Sequence, residues 1–290
     1  MTSLAEIVVT LDGAVVAADV PVGRVDDPLF ARGDGVFETL LVRGGRACLV
    51  GRHLDRLARS AATVGLPPPD LPRWRIAVAV AARRWPGAGE AVMRLVWGRG
   101  RDGEPFGFVT ASPLPDRVAA ARRDGVSAIT LDRGISVGDP PSTRTGLPPW
   151  STAGVKSLSY AVNAAALRHA QTHGAGDVVL TSTEGYVLEG PRSSVLIATA
   201  DGVLVTPPAT LPILPGTTVG ALFEVARRRG TSCEERPLRR SDLLAAEGVW
   251  LLSSVTLAAR IHTLDGQALT AAARETEVSA MVDEALGASD

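Results

Sequence analysis

The chain carries one lysine, Lys156, against 29 arginines. Wherever charge alone would serve, it has Arg. Lysine offers what Arg does not: an amine that sheds its proton near neutral pH and then acts as nucleophile or base. Lys156 stands in Trp150-Ser-Thr-Ala-Gly-Val-Lys156-Ser-Leu-Ser-Tyr160-Ala-Val-Asn163. A Pro-rich loop (Pro140, Pro141, Pro148, Pro149) precedes it, and an apolar helical pattern of Leu158, Val162, Ala165, Ala166 and Ala170 follows. This placement predicts a flexible side chain reaching into a cleft from a loop-to-helix junction.

Four further features could share a site with it. Pro215-Gly216-Thr217-Thr218 opens a predicted helix, where free N–H groups and two hydroxyls can hold a phosphate. Leu252-Ser253-Ser254-Val255-Thr256 offers a second hydroxyl-rich turn after a strand. Arg56, in His53-Leu-Asp-Arg-Leu57, can clamp a phosphate with two parallel bonds. Glu189 follows an apolar strand and can keep a ring nitrogen protonated. Each has an ordinary alternative: a capped turn, a strand end, an exposed helical Arg, a Glu in solvent. Taken together, lysine, phosphate cup, Arg clamp and carboxylate are the set that pyridoxal phosphate needs.

Composition narrows the classes. With 46% apolar and 21% charged residues in 290, the chain can bury a substantial core and forms one large domain or two ordinary ones. A net charge of −1 gives no electrostatic footprint for nucleic acid or an anionic membrane. Cys48 and Cys233 make neither a metal spacing nor a disulfide framework. His169 and His173 are four apart on a predicted helix and lack an evident third metal ligand, so no metal is expected. The opening Met-Thr-Ser-Leu-Ala-Glu-Ile lacks the pattern of a signal peptide, and no membrane-length apolar run occurs. The expectation is a cytoplasmic protein.

Elements that must position these residues follow from turn chemistry and periodicity. Glu6–Leu11, Asp12-Gly13 and Ala14–Val16 read as a hairpin; Val36–Val42, Gly44-Gly45 and Arg46–Val50 read as another. Helices are predicted over roughly 51–64 and 72–85, then strands at about 91–97 and 106–111. Ser112-Pro-Leu-Pro-Asp116 punctuates the chain, giving an N-terminal α/β domain (1–115), a linker (116–124) and a C-terminal α/β domain (125–290) carrying the lysine. The second half predicts strands at Val126–Leu131, 177–181, 186–188, 194–199, 203–206 and Val249–Ser253. Its helices follow Lys156, run from about Gly216 to Arg229, and close the chain at 275–286. Strands grouped with helices and joined by hairpin turns predict α+β, or mixed α/β, sheets.

The order of these motifs resembles the class IV (fold type IV) aminotransferase family of pyridoxal-phosphate enzymes. The resemblance runs from about Asp26 to Thr263. It rests on Arg32-Gly-Asp-Gly-Val-Phe-Glu-Thr39, His53-Leu-Asp-Arg-Leu57 and Lys156-Ser-Leu-Ser-Tyr160, with Gly185-Tyr-Val-Leu-Glu-Gly190, Leu214-Pro-Gly-Thr-Thr218 and Leu252-Ser-Ser254. It implies that Lys156 forms the Schiff base and shuttles protons and that Glu189 faces the pyridine nitrogen. Arg56 would hold the phosphate together with Gly216, Thr217, Thr218, Ser254 and Val255. Tyr160 stands near a family tyrosine that bonds the cofactor's phenolic oxygen, at a different spacing from the lysine than in branched-chain enzymes. The family's fold has two α/β domains with the cofactor at their interface, and its working unit is usually a homodimer.

Departures from the pattern bear on substrate. Ser194 stands where the aminotransferases usually have Asn, and Thr217-Thr218-Val219 lacks the Arg of their Ile-Thr-Arg. Trp97-Gly-Arg99-Gly-Arg101-Asp-Gly103 has two arginines and no His where D-amino acid transaminases carry Arg-x-His. The layout is most similar to actinobacterial aminodeoxychorismate lyases. The resemblance therefore implies conversion of 4-amino-4-deoxychorismate to 4-aminobenzoate and pyruvate, a folate-pathway step. The alternative is an aminotransferase acting on D-amino or branched-chain amino acids; a non-catalytic cofactor-binding protein is disfavoured by the intact lysine and carboxylate. Arg32, Arg99, Arg101 and Arg144 are the candidates for holding substrate carboxylates.

Overall fold

The computed structural model describes residues 7–86, 89–141, 147–270 and 274–287. The chain divides into two compact units. Unit 1 holds the residues up to Pro115 together with Val155–Tyr160; unit 2 holds Asp116–Gly154 and the chain from Ala161 onward.

Unit 1 is built on an antiparallel sheet. Its elements are β1 (Ile7–Thr10), β2 (Val15–Val16), α1 (Pro28–Arg32), β3 (Gly35–Arg43), β4 (Arg46–Ala47), α2 (Val50–Thr63), α3 (Leu71–Arg84), β5 (Ala91–Arg99) and β6 (Pro105–Pro113). The strand order is β2-β1-β6-β5-β3-β4. Alternation along β3 sends Val36, Leu40 and Val42 to one face, where they meet Leu54, Leu57 and Ala61 of α2 and Trp74, Ala77 and Ala81 of α3 in one core. Burying a leucine such as Leu54 or Leu57 stabilises the fold by about 1.5–3 kcal/mol each. Phe37 takes the other face of β3 and packs with Leu29, Val96, Leu158 and Tyr160.

Unit 2 is a mixed sheet flanked by helices. It comprises α4 (Asp116–Asp124), β7 (Val126–Asp132), α5 (Ala161–Thr172), β8 (Asp177–Thr181), β9 (Ser194–Ala198), β10 (Leu204–Thr206), α6 (Thr217–Arg228), β11 (Cys233–Glu235), α7 (Arg240–Ala245), β12 (Gly248–Ser253), β13 (Leu257–Leu264), β14 (Gln267–Ala268) and α8 (Glu275–Gly287). The order β11-β10-β9-β12-β13-β7-β8 has β14 beside β13, and the pairs β10/β11, β7/β13 and β7/β8 are parallel. Val195, Ile197, Val205, Leu251 and Ile261 fill its core.

The mixed α/β sheets and the hairpins turning at Asp12-Gly13 and Gly44-Gly45 follow the sequence reading. Three details differ. Residues 116–124, read as a linker, form α4, whose Val118 is buried. The lysine segment belongs to unit 1 and not to the C-terminal domain, because it pairs with β3. Its helix starts only at Ala161, so Leu158 packs in unit 1 while Val162 is 71% exposed. Residues 186–188 make single bridges, Thr181 with Val187 and Tyr186 with Arg239, and no continuous strand. No helix among the described residues is long and apolar enough to cross a membrane.

Candidate active site

In unit 1 the lysine is held by its backbone. β4 covers β3 only at Val42 and Arg43, which leaves the first half of that strand's edge open. Ser157 bridges to Val36 there; Phe37 N–H donates to the Lys156 carbonyl and Leu158 N–H to the Gly35 carbonyl, each at 2.9 Å. Glycines make the approach feasible. A Cβ on Gly35 would lie 2.6 Å from Leu29 and 2.8 Å from Leu158, and Gly33 ends α1 at φ 66° with Ser159 against it. Gly33-Asp34-Gly35 is thus the seat of the lysine loop.

The Lys156 side chain passes over β3. Its Nζ lies 4.5 Å from the Phe37 ring centroid, the Arg94 guanidinium lies 4.4 Å from the same ring, and Tyr160 meets it edge-on at 5.5 Å. Arg94 is exposed overall, and the partial burial of its guanidinium lowers its pKa, partly countered by Tyr160. No acid of the described residues pairs with it. Arg94 was not singled out from the sequence; a cation in the middle of an apolar strand was the available signal.

The opposite face of β3 carries a buried charge cluster. His53, Arg56 and Ser60 line the inner face of α2 beside Leu57 and Ala61 at helical spacing, so Arg56 is 5% exposed and not on the surface. Its Nε and Nη2 donate to the two Glu38 carboxylate oxygens at 2.7 and 2.8 Å, and His53 Nδ1 lies 2.7 Å from Glu38 Oε2. Burial pushes the Glu38 pKa upward. The Arg56 charge and hydrogen bonds from Arg56 and His53 outweigh it and hold the carboxyl well below the usual range. Burial lowers the His53 pKa, with Glu38 opposing, so the ring is neutral and its Nδ1 carries the donated hydrogen. Glu38 was quoted within a motif without a role. A lone carboxylate among Val36, Phe37, Leu40 and Leu41 was the sign of a buried partner.

In unit 2, Glu189 is buried and both of its oxygens are engaged. Arg133 Nη1 donates to Oε1 at 2.6 Å, and Leu214 N–H donates to Oε2 at 2.9 Å. The second bond ties Glu189 to the loop that enters α6. Arg133 is a further residue the motifs did not reveal, since it lies 56 positions away.

That loop ends in an uncapped helix N-terminus. Gly216 is the N-cap and supplies no side chain; a Cβ there would meet Ser194 Oγ at 2.4 Å. The absence of a side chain at Gly216 therefore lets the loop seat closely against Ser194 of β9. Thr217 Oγ1 lies 3.3 Å from Ser254 Oγ, joining the two hydroxyl-rich turns foreseen from sequence. The second turn is braced by Arg122, whose Nε donates to the Val255 carbonyl at 3.1 Å. Thr218 Oγ1 is buried with no partner among the described residues. An orphaned hydroxyl at a helix N-terminus without a side-chain cap fits an anionic phosphate.

The other arginine candidates are placed elsewhere. Arg32 is exposed in the last turn of α1. Arg99 bonds the Gly65 carbonyl at 2.7 Å and pairs with Asp34 at 3.2 Å; Arg101 pairs with Asp26 at 3.6 Å and Asp102 at 3.5 Å. Arg144 lies outside the described residues.

Unit 1 carries a buried carboxylate–guanidinium pair and a backbone-clamped lysine, and unit 2 an uncapped helix start beside paired hydroxyls; each is a feature of one enzyme class. The chain matches the model of the amino-transferase class IV family over residues 35–264, and it belongs to that family. A Mycobacterium tuberculosis protein named bifunctional aminodeoxychorismate lyase / D-amino acid transaminase is 54% identical, over 96% of this chain and 98% of its own. The PLP-bound structure of a hypothetical aminotransferase from M. tuberculosis superposes with a TM-score of 0.92 at 54% identity, over 97% of this chain and 98% of that one. A fold IV-transaminase from Curtobacterium pusillum is similar at TM-score 0.86 and 37% identity, over 96% and 98% of the two chains.

Proposed function

We propose that the protein is a pyridoxal-phosphate-dependent 4-amino-4-deoxychorismate lyase, releasing 4-aminobenzoate and pyruvate. The observation that carries this reading is the 54% identity, end to end, with the mycobacterial lyase/transaminase. The residues present fit the cofactor. Thr218, with its orphaned hydroxyl, together with Thr217, Gly216 and the Ser254-Val255 turn, would supply N–H and hydroxyl groups for its phosphate, with Arg56 as the cationic clamp. Glu189, whose oxygens accept from Arg133 and Leu214 N–H, is the acceptor for the ring nitrogen. Tyr160 stands beside Phe37 to bond the phenolic oxygen.

Bound pyridoxal phosphate supplies an electron sink for a carbon attached to the substrate nitrogen. Lys156 holds the cofactor covalently at rest; when the substrate amine takes its place, Nζ becomes the base that removes the proton from the amine-bearing ring carbon. Loss of the enolpyruvyl group as pyruvate then leaves an aromatic amine, with Nζ returning a proton. Arg94, on the Phe37 ring with Lys156 and without an acid partner among the described residues, is the cation we assign to a substrate carboxylate. Arg32 and Arg144 remain candidates for the second carboxylate, whereas the ion pairs of Arg99 and Arg101 make them weaker ones.

A second reading, D-amino acid transamination, is favoured by the bifunctional name of the mycobacterial relative. It uses the same lysine to return the proton to the cofactor carbon. The two readings separate by acceptor dependence. A lyase yields 4-aminobenzoate and pyruvate in equal amounts with no keto acid added; an absolute need for a keto acid contradicts it. We also propose a cytoplasmic homodimer, supported by the family's usual assembly and by exposed Val25, Phe30 and Trp150; light scattering on the purified chain tests the assembly.

A further inference from the structure

β3 places a carboxylate where its neighbours dictate an apolar side chain. Val36, Glu38, Leu40 and Val42 share one face of the strand, and all four are fully buried against α2 and α3. An ionised carboxylate there is costly unless it is paired and hydrogen-bonded. A buried pair adds little stability compared with well-packed apolar side chains of the same volume. Stability is therefore a weak account of Glu38.

Geometry supplies a better one. Glu38 receives the Nε and Nη2 hydrogens of Arg56 side-on, and His53 holds the Oε2 oxygen from a third direction. Two parallel bonds fix both the plane and the position of a guanidinium. The Nε edge is thereby committed, and the plane of the guanidinium is fixed. An Arg so held loses little side-chain freedom when an anion arrives. On the reading that Arg56 meets the cofactor phosphate, we propose that Glu38 is the positioning residue of that clamp: it orients the guanidinium so that the phosphate meets a rigid donor.

Electrostatics alone demands the opposite sign. A negative charge behind Arg56 reduces its pull on a phosphate, so removing it without a positioning role would tighten phosphate binding. The test uses the full-length chain reconstituted with pyridoxal phosphate or with pyridoxal, which lacks the phosphate, and measures both dissociation constants. Glu38→Gln should cut the preference for the phosphorylated form at least about tenfold, equivalent to about 1.4 kcal/mol, while pyridoxal affinity stays within about twofold. On an Arg56→Ala background the same change should leave the preference where Arg56→Ala alone put it. Equal weakening of both ligands, or a stronger preference for the phosphorylated one, would overturn the proposal. If Arg56→Ala leaves the preference untouched, it is the phosphate-clamp reading that fails, and Glu38's role falls with it. Glu38→Asp guards against misfolding, since it keeps the charge but shortens the reach. A measurable loss of preference is expected there too, and an unchanged one contradicts positioning.

Discussion

Lys156 and Phe37 are joined twice: Phe37 N–H donates to the Lys156 carbonyl at 2.9 Å, and the Lys156 Nζ lies 4.5 Å from the Phe37 ring centroid. Strand pairing thus fixes where the lysine starts, and the aromatic ring fixes the surface its amine crosses. Lys156→Arg preserves the charge and the ring contact but has no amine able to link covalently to the cofactor. We expect borohydride to fix cofactor to the wild-type protein at this residue alone, and neither fixation nor turnover in the variant. With one lysine in the chain, peptide mapping after reduction is unambiguous; an active Lys156→Arg protein would contradict the assignment.

Arg56→Ala has two consequences. A charged hydrogen bond to phosphate contributes about 1.5–3 kcal/mol, or roughly ten- to a hundredfold in cofactor affinity, so excess cofactor should restore much of the activity. Burial adds a second effect, because Glu38 is left charged and without its main partner. Breaking such a pair costs about 3–5 kcal/mol, and thermal unfolding should show a clear drop in Tm even without cofactor. Unchanged affinity and an unchanged Tm would remove Arg56 from the site.

Thr218→Val tests the phosphate cup with the opposite sign on stability. The hydroxyl is buried and has no partner among the described residues. An unsatisfied buried group costs about 1–3 kcal/mol, so the cofactor-free variant should be as stable as wild type or more so. Its cofactor affinity should fall about tenfold, measured by equilibrium titration. A less stable variant that binds the cofactor normally would place the hydroxyl in a structural role.

Acid should weaken the protein in two stages. The His53 pKa is lowered by folding from 6.5, so below that pH the unfolded chain takes up a proton that the folded ring refuses. The Glu38 pKa is lowered from 4.5, so its contribution is complete above that value and drains away as pH falls below it. Asp177, raised by burial against the pull of Arg192, works in the other direction. We expect Tm to decline from about pH 6.5 toward 4.5 and more steeply below. His53→Gln, which can still donate to Glu38, should flatten the upper stage; an unaltered profile would exclude His53 as its source.

The hairpins, the α6 start and the Thr217/Ser254 pairing were legible because glycine turns and hydroxyl-rich strand ends act locally. The lysine's neighbours were not. Its segment pairs with β3 from more than a hundred residues away, and helical periodicity through Leu158 and Val162 pointed to the wrong packing partner. Long-range ion pairs were equally hidden: Arg133 with Glu189, and Arg56 with Glu38, 18 positions apart and on different elements. Arg56 reads from sequence as a phosphate clamp or an exposed helical Arg, and nothing on its own helix shows that it is buried against Glu38. Only the strand opposite, with its single carboxylate, makes burial the favourable choice.

The substrate reading, carried by the likeness to the mycobacterial relative, calls for anchors for two carboxylates. Aminodeoxychorismate presents both on a bulky ring, whereas an α-amino acid presents one beside its amine. The direct measurement is kcat/KM for 4-aminobenzoate formation set beside kcat/KM for transamination across a panel of D- and L-amino acids, with Arg94→Leu carried in parallel. Lyase turnover should exceed any transamination by at least about tenfold, a difference of roughly 1.4 kcal/mol in transition-state binding, and Arg94→Leu should depress it while borohydride fixation at Lys156 persists. Fast transamination with no detectable 4-aminobenzoate would contradict the lyase and leave a class IV aminotransferase in its place.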